Sequence, residues 1–340
     1  MNRTALLLLF GGESSEHDVS VASARNVYAA LDSDKFDVLF GYIDLHGNWW
    51  LLDQFDADIE TRGMPQLAAV PGAASFITLP GNRVIKPDVI LPILHGKNGE
   101  DGSVQGLAQL VHVPIVGCDT TSSAIGMDKL ACKQISEVTG VLVAPYEVYR
   151  RGDSVPSFSR LNLTLGNPLF VKPSRGGSSV GVSKVYDEAS LSEAINNALI
   201  EDDTILIESA IDGQEVEVAA LGNPPHHKVS GVGEIKVSGF YSYDEKYNAS
   251  SKAEVVIPAK LDQDVASKVQ RTAKQLFKAF GCKGLSRLDF FVTAKGEVYF
   301  NEINTLPGFT NISMYPKLWR EQGISYPELV EEMIRLALDN

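Results

Sequence analysis

Short apolar runs alternate with segments of helical periodicity along the first third of the chain. Residues 5–10 are apolar without interruption, as expected of a buried parallel strand, and residues 16–31 repeat apolar positions at helical spacing. The pattern predicts a helix at 103–110 and further strands at 36–43, 89–94 and 113–117. This alternation predicts an α/β unit with a parallel sheet. Residues 53–86 are weakly patterned, and we interpret them as an elaborated connection.

Two further α/β units follow, and we predict three domains, at residues 1–122, 123–213 and 214–340. The predicted helices of this part cover residues 128–138, 188–199, 262–280 and 326–338. The predicted strands cover residues 146–149, 169–173, 204–208, 214–221, 231–236, 285–292 and 298–304. A long polar stretch at residues 238–252 is interpreted either as a lid over a site or as a disordered surface loop.

Composition and charge narrow the class of protein. The chain has 340 residues, 44% hydrophobic and 21% charged, as in ordinary soluble globular proteins. Its net charge of -13, with no basic block, argues against binding of nucleic acid. The apolar run at residues 5–10 is far shorter than the ~20 residues that cross a bilayer, and no signal-peptide cleavage site follows it. Three widely spaced cysteines indicate thiols in a reducing compartment, so we expect a cytoplasmic protein without a membrane partner.

A glycine-rich loop directly after a predicted strand is the strongest local signal. Residues 172–181 read KPSRGGSSVG, in which small residues let backbone N–H groups approach an anion. Ser178 and Ser179 add hydroxyl donors, and Lys172 adds a positive charge. The loop has neither the GK[ST] end of a Walker A loop nor the GxGxxG spacing of a dinucleotide-binding fold. It is interpreted either as a phosphate cradle or as a surface glycine loop.

Two pairs of polar residues lie on consecutive predicted strands near the end of the chain. Arg287 and Asp289 are two residues apart and share a face of their strand, as do Glu302 and Asn304 on theirs. A hairpin through residues 294–296 would bring three oxygen ligands and one arginine together. Such oxygens suit Mg²⁺, which takes substrate phosphates at its other positions. The alternative is a solvated, salt-bridged strand face.

Three other segments carry residues that suit ligand binding. Residues 304–313 form a turn rich in hydroxyl and N–H groups, which is interpreted as a carboxylate site or as an ordinary Pro-Gly turn. Glu16 follows the first strand and its glycines, where it either attracts an ammonium group or lies in the first turn of a capped helix. His95 follows another predicted strand, and it is interpreted either as a functional histidine or as a structural one. His226 and His227 lack zinc-site spacing and are interpreted as surface residues.

Together these segments resemble one family, the D-alanine–D-alanine ligases of the ATP-grasp superfamily. The matching motifs follow the family's order over essentially the whole chain: GGESSEHDVS, HGKNGEDGSVQG, MDK at residues 127–129, VKPSRGGSSVGVSKV, GQEVEVAALG, DEKY at residues 244–247, GLSRLDFF and NEINTLPGFTNIS. The resemblance implies an α/β fold in which a Rossmann-like preATP-grasp domain precedes a two-subdomain ATP-grasp. It also implies a homodimer that uses ATP and two magnesium ions, with Mn²⁺ as a substitute.

The activity that the resemblance implies is an ATP-dependent carboxylate–amine ligation. The carboxylate of a first D-alanine attacks the γ-phosphate of ATP, and the amine of a second D-alanine attacks the acyl phosphate. The dipeptide would supply peptidoglycan precursor synthesis. Two alternatives stay open: a D-serine acceptor, with D-lactate disfavoured by Tyr247, and a non-catalytic ATP-binding relative. The missing GxGxxG argues against an oxidoreductase.

By the same resemblance, separate sets of residues bind ATP and its metal. The ATP set is Lys129, Lys172, Ser178, Ser179, Glu208, Ser209, Ile211, Glu215 and Lys246, with Glu208 to Ile211 at the adenine and Glu215 at the ribose. The magnesium set is Asp289, Glu302 and Asn304. Arg287 and the backbone N–H of Gly308 are implied to face the developing oxyanion.

The resemblance also implies positions for the two amino acids. Glu16 receives the ammonium group of the first D-alanine, and His95 lies near this substrate. Ser313 and the N–H of Met314 hold the carboxylate of the second. A hydrogen-bonded trio that latches the lid and excludes water is implied to consist of Glu16, Ser178 and Tyr247.

Overall fold

The computed structural model describes residues 3–56, 58–236 and 254–339, and these residues form three sheets with helices packed against them. The strands are β1 (Thr4–Gly11), β2 (Phe36–Ile43), β3 (Trp49–Leu52), β4 (Gln66–Val70), β5 (Ser75–Leu79), β6 (Val84–Ile85), β7 (Val89–Ile93), β8 (Leu142–Val143), β9 (Tyr146–Arg150), β10 (Leu169–Pro173), β11 (Ser183–Val185), β12 (Thr204–Ser209), β13 (Gln214–Leu221), β14 (Lys228–Lys236), β15 (Glu254–Val256), β16 (Leu285–Val292) and β17 (Val298–Asn304). The helices are α1 (His17–Ala30), α2 (Ser103–Val111), α3 (Thr120–Met127), α4 (Lys129–Val138), α5 (Phe158–Leu165), α6 (Glu188–Glu201), α7 (Gln263–Ala279), α8 (Met314–Glu321) and α9 (Tyr326–Leu338).

The first sheet has the order β6-β5-β4-β3-β2-β1-β7, and only part of it is parallel. β1 pairs in parallel with β2 and β7, whereas β3 to β6 add an antiparallel extension. The interpretation of residues 53–86 as a connection is therefore wrong, because they supply three short strands. The predicted strand at residues 113–117 is also wrong. Only Ile115 makes a bridge, since Pro114 has no N–H and Gly117 turns the chain with a φ of +107°.

The second and third sheets hold most of the segments singled out by their motifs. The second sheet has the antiparallel order β11-β10-β12-β9, and the third has the order β15-β14-β13-β16-β17-β8. The predicted hairpin of β16 and β17 is confirmed, with Arg287 opposite Asn304 and Asp289 opposite Glu302. Cross-strand partners lie on the same face of a sheet, so all four side chains emerge on one face.

Helix starts follow local capping chemistry. Asp187 and Ser190 form a reciprocal capping box at α6, and Ser325 and Glu328 form another at α9. The pattern missed three short helices, α3, α5 and α8, because eight residues present too few apolar positions for a periodic stripe. None of the helices in the described residues is long and apolar enough to span a bilayer.

The apolar core is divided among clusters that do not follow the sheets one to one. One cluster, here the shared core, joins β1 and α1 to α8 and α9 through Phe10, Val27, Trp319 and Leu329, among others. Another, here the β10 core, lies between the second sheet and its helices and includes Leu161, Leu191 and Ile207. The early part of the chain thus folds against its last two helices.

One surface interpretation is corrected by this packing. His227 is buried, stacks on Phe277 with a ring-centroid distance of 5.0 Å, and contacts the Lys274 carbonyl oxygen through Nε2 at 3.0 Å. His226 is exposed, as expected. The pattern missed His227 because its burial depends on α7, which lies about forty residues further along the chain.

Candidate active site

The glycine-rich loop leaves β10 with an unusual backbone. Ser178 and Ser179 have φ angles of 52° and 61°, in the left-handed region that non-glycine residues rarely adopt. Strain of this kind is typical of ligand clamps. Lys129, at the start of α4, donates from Nζ to the Gly176 carbonyl at 2.6 Å. The loop therefore brings Lys129 to the same place as Lys172, the fourth residue of β10.

A second contact fixes α4 to this loop. Asp128 caps the helix by accepting from the N–H groups of Leu130 at 3.0 Å and Ala131 at 3.2 Å. The same Oδ1 accepts from Ser174 Oγ at 2.7 Å, and the Lys129 N–H donates to the Ser174 carbonyl at 2.9 Å. The MDK motif and the glycine loop are thus one local structure.

Glu208 lies buried between two lysines. Its carboxylate pairs with Lys172 Nζ at 2.7 Å and with Lys133 Nζ at 3.2 Å. Burial alone would raise the pKa of Glu208, but the two lysine charges lower it, so the group is an anion. Burial lowers the pKa of Lys133 to about 8, and its Nζ also donates to the Ala144 carbonyl at 3.2 Å. Lys133 was not among the predicted site residues, although it lies one helical turn after Lys129.

Three more residues assigned to the nucleotide lie at the end of β12, in the connection that follows and near the start of β13. Ser209 is the last residue of β12. Its N–H donates to the Pro145 carbonyl at 2.9 Å, and its hydroxyl donates to the Leu165 carbonyl at 2.7 Å. Ile211 is half-buried in the connection, and Glu215 is half-buried on β13. The Ser209 side chain is therefore bonded toward α5, so a contact with the base would come from its backbone.

Arg287 lies between two buried carboxylates. Asp289 accepts from Arg287 Nε at 2.8 Å and from Nη2 at 2.7 Å, and Glu217 Oε2 lies 3.0 Å from the same Nε. Burial by itself would lower the pKa of Arg287, but the charges of these two carboxylates raise it well above its usual value. Glu217 faces Asp289 across β13 and β16, and Asp289 faces Glu302 across β16 and β17. Three carboxylates therefore lie in one row across the sheet, with the arginine beside them.

The donors in this row fit a magnesium ion. Asp289, Glu302 and Asn304 offer two carboxylates and an amide on adjacent strands. The buried Oδ1 of Asn304 accepts no hydrogen bond from the described part of the chain. The described residues contain no cluster of three or more His, Cys, Asp or Glu side chains arranged around one metal position. The protein would thus supply a few oxygens, and substrate or water the rest, which is how Mg²⁺ is commonly bound.

Glu16, directly before α1, and His95, two residues after β7, lie beside the glycine loop. A Cβ placed on Gly177 would lie 3.7 Å from the Glu16 Oε2, and one on Gly96 would lie 3.5 Å from it. The buried His95 donates from Nδ1 to the Leu306 carbonyl at 3.1 Å. Burial lowers the pKa of His95 despite the charge of Glu16, so the ring is neutral and Nε2 carries a lone pair. No described residue donates to this buried nitrogen.

Glu100 is a second site residue that was not predicted. It accepts from the Gly96 N–H at 2.9 Å. Burial, followed by the charge of Glu16, raises the pKa of Glu100 to about 8, so it is protonated at neutral pH. It belongs to the HGKNGEDG segment, where two adjacent acids gave no indication of which one has a raised pKa.

The turn at residues 304–313 leads into α8. Ser313 Oγ accepts from the Thr310 N–H at 3.0 Å and makes no cap to the first turn of α8. A Cβ on Gly308 would lie 3.0 Å from that Oγ, so Gly308, Ser313 and Met314 lie together. The first N–H groups of α8 have no side-chain cap, which suits a carboxylate ligand.

Several of these groups lie close to one another. Glu16 adjoins the glycine loop, and the charges of Glu302 and Lys172 both act on Lys129, whose pKa is lowered chiefly by burial. His95 lies within reach of the charges of both Glu16 and Arg287. Lys246 and Tyr247 lie, with the whole predicted lid segment at residues 238–252, outside the described residues.

Comparison with known proteins agrees with this geometry. Residues 5–118 match the family model described as D-ala D-ala ligase N-terminus, and residues 135–335 match D-ala D-ala ligase C-terminus. The chain belongs to the D-alanine–D-alanine ligase family. The resemblance carried by the motifs is thereby confirmed.

Relatives within the family match over nearly their whole length. The chain is 44% identical to the D-alanine–D-alanine ligase of Oceanobacillus iheyensis, with 98% of the chain and 94% of that protein covered. It is 42% identical to D-alanine–D-alanine ligase A of Salmonella typhimurium, with 98% and 95% covered.

Solved structures of the family confirm the expected fold. The D-alanine–D-alanine ligase of Coxiella burnetii superposes with a TM-score of 0.90 at 34% identity, covering 100% of this chain and 95% of that one. The VanG D-Ala:D-Ser ligase of Enterococcus faecalis also gives 0.90 at 34% identity, covering 99% and 100%. The fold is thus equally similar to ligases with different second substrates.

Proposed function

We propose that this protein is a D-alanine–D-alanine ligase, which joins two D-alanines through a D-alanyl phosphate and supplies the dipeptide for peptidoglycan precursors. The observation that carries the proposal is the convergence described above. Glu16 lies against the glycine loop, that loop holds Lys129 beside Lys172, and Arg287 lies in the carboxylate row. Amine, phosphate and oxyanion chemistry need these three sets in one place.

In the first step two anions must meet, so positive groups have to lower their repulsion. Lys129 and Lys172, with the hydroxyls of Ser178 and Ser179, would bind the phosphates. Lys172 must then share or exchange its contact with Glu208, and Lys133 stays on that carboxylate. Residues Glu208 to Ile211 would contact the adenine, and Glu215 would contact the ribose.

Asp289, Glu302 and Asn304 would hold magnesium, or Mn²⁺ as a substitute, which when bound supplies charge neutralisation at the phosphates. Arg287 and the Gly308 N–H would stabilise the oxyanion that forms when the second amine attacks. The two carboxylates at Arg287 keep the guanidinium charged and limit its movement.

For the first D-alanine, Glu16 would receive the ammonium group and the neutral His95 Nε2 would accept a hydrogen bond beside it. Ser313 and the Met314 N–H would hold the carboxylate of the second D-alanine, where the first turn of α8 has no side-chain cap. The lid contacts of Lys246, and of Tyr247 with Glu16 and Ser178, remain part of the proposal. A D-serine acceptor is the second candidate, favoured by the similarity to VanG.

The first test measures phosphate release from Mg²⁺-ATP with no amino acid, L-alanine, D-alanine, and D-alanine mixed with D-serine or D-lactate. Products are identified by mass. Turnover with D-alanine alone, yielding its dipeptide, is expected. Preference for a mixed product would move the protein to the second candidate, and absence of turnover despite ATP binding would overturn the proposal.

Arg287→Ala tests the role of the arginine. Loss of one oxyanion donor is expected to lower kcat by about 10²–10³ while ATP binding stays measurable. Arg160→Ala is the matched control, because Arg160 makes an exposed two-bond ion pair with Glu147 on the second sheet. Near-normal dipeptide synthesis by Arg287→Ala would contradict the assignment.

A homodimer in the cytoplasm is the remaining part of the proposal. The family resemblance supports the dimer, and three buried thiols, Cys118, Cys132 and Cys282, support a reducing compartment. Sedimentation equilibrium at twice the 36.9 kDa chain mass is expected. A monomer mass at micromolar concentration would contradict the dimer.

A further inference from the structure

Arg287 Nε lies close to two carboxylate oxygens, and its N–H donates to that of Asp289. Nε lies 2.8 Å from Asp289 Oδ1 and 3.0 Å from Glu217 Oε2. Asp289 uses both of its oxygens on this arginine, since Oδ2 accepts from Nη2 at 2.7 Å. Both carboxylates are almost fully buried, with side chains 3% and 4% exposed. Neither can exchange the arginine for water at low cost.

The proposed function gives Asp289 a second task. A carboxylate whose two oxygens both accept from a guanidinium has less charge density to offer a cation. When Asp289 ligates magnesium, its two-bond contact with Arg287 must weaken. The arginine is needed at that same moment, because it faces the oxyanion. Something other than Asp289 has to hold it.

Glu217 is placed to do this. It is directly opposite Asp289 in the sheet register, so its carboxylate approaches the guanidinium from the next strand, on the side away from Glu302. Because Glu217 Oε2 already lies 3.0 Å from Nε, a reorientation of the guanidinium would transfer the N–H bond from Asp289 to Glu217. We propose that Glu217 is the positioning residue that holds Arg287 while Asp289 binds metal, and so couples metal binding to arginine placement. This inference rests on the proposed function.

The test uses a direct metal-binding readout as well as kinetics. Mn²⁺ binding to the full-length protein is measured by electron paramagnetic resonance with ADP and no amino acid. In Glu217→Gln, Asp289 has to hold Arg287 without the charge of Glu217, so the Kd for Mn²⁺ is expected to rise about 10-fold or more. The value of kcat is expected to fall by about 10–100-fold while KM for ATP changes little. Glu217→Asp, which keeps the charge, should recover part of both.

A simple loss of negative charge would also weaken Mn²⁺ binding, and a double-mutant cycle separates the two causes. In Arg287→Ala, Asp289 no longer competes, so adding Glu217→Gln should leave the Kd for Mn²⁺ unchanged. An equal rise of the Kd in both backgrounds would overturn the coupling.

Glu234→Gln is the matched control for burial. Glu234 is a buried carboxylate on the neighbouring strand β14 that accepts from Gln214 Nε2 at 3.1 Å. The Glu234→Gln variant is expected to keep the wild-type Kd for Mn²⁺. A rise of the Kd like that of Glu217→Gln would overturn the proposal. The binding assay needs no turnover, so inactivity of the wild type toward D-alanine would refute the proposed function without deciding this point.

Discussion

At the scale of single residues, the site consists of buried charges that are matched by close partners. Glu208 lies between Lys133 and Lys172, and Arg287 lies between Asp289 and Glu217. Removing one partner of such a pair leaves a buried charge without compensation, which is far more costly than the pair itself. The local electrostatics therefore fix the side chains before any ligand arrives.

Glu100 gives a pH-dependent prediction at this scale. Burial raises its pKa from about 4.5 to about 8, so the folded state binds the extra proton between these values. The associated stability is complete below pH 4.5 and is lost as the pH rises through 8. Relative to Glu100→Gln, the wild type should lose unfolding free energy over this range, by at most about 4 kcal/mol and by less because solvent screens the half-buried carboxyl. Urea unfolding at pH 5 and pH 8.5 measures it, and a difference independent of pH would contradict the raised pKa.

At the scale of elements, predictions from sequence succeeded where one segment contains the whole signal. The hairpin of β16 and β17, the strand β10 and its glycine loop could be predicted, because alternation, turn residues and small residues are local features. Glu100, Lys133 and Glu217 could not, since each has a charged neighbour that is distant in sequence: Glu16, Glu208 and Arg287, respectively. The antiparallel extension β4 to β6 was missed because its short strands carry little periodicity.

The junction of α4 and β10 gives a prediction about an element and its ligand. Asp128→Ala removes the cap of α4 and the bond to Ser174, which together hold Lys129 on the glycine loop. A loss of about 1 kcal/mol in unfolding free energy and a several-fold rise of KM for ATP are expected. Asp187→Ala removes the cap of α6 and is the matched control. It should lose similar stability at unchanged KM, and equal KM values in both variants would refute the link.

The packing of α8 against β14 gives another prediction. A Cβ on Gly233 would lie 2.6 Å from the Met314 Sδ, so Gly233→Ala must shift the Met314 side chain, which belongs to the first residue of α8. Overpacking should cost about 1–3 kcal/mol, and KM for the second D-alanine should rise while KM for ATP does not. Gly231→Ala, two residues earlier, meets only Gln322 Nε2 at 3.5 Å and should behave as wild type. Unchanged KM for both amino acids in Gly233→Ala would separate α8 from the second substrate.

At the scale of the whole molecule, the sequence predicts three units, and the packing connects the first of them with the last. The predicted boundary at residue 122 separates Phe10 from Trp319 and Leu329, although all three lie in the shared core. Linear patterns cannot reveal this, because contacts across three hundred residues leave no periodic trace. The β10 core, by contrast, is built from residues 149–207 alone. Opening between these two bodies would expose the residues that we propose bind the nucleotide, without breaking either core.

This division predicts two cooperative units of unfolding. Leu191→Ala truncates a fully buried side chain of the β10 core and should destabilise that unit by about 2–5 kcal/mol. Hydrogen exchange followed by mass spectrometry should show faster opening of β10 and β12, while β1 and α9 keep wild-type protection. Leu329→Ala truncates an equally buried residue of the shared core and should speed exchange in both β1 and α9. If Leu191→Ala accelerated exchange equally in β1, the chain would unfold as one unit, and motion of the second sheet could not open the site independently.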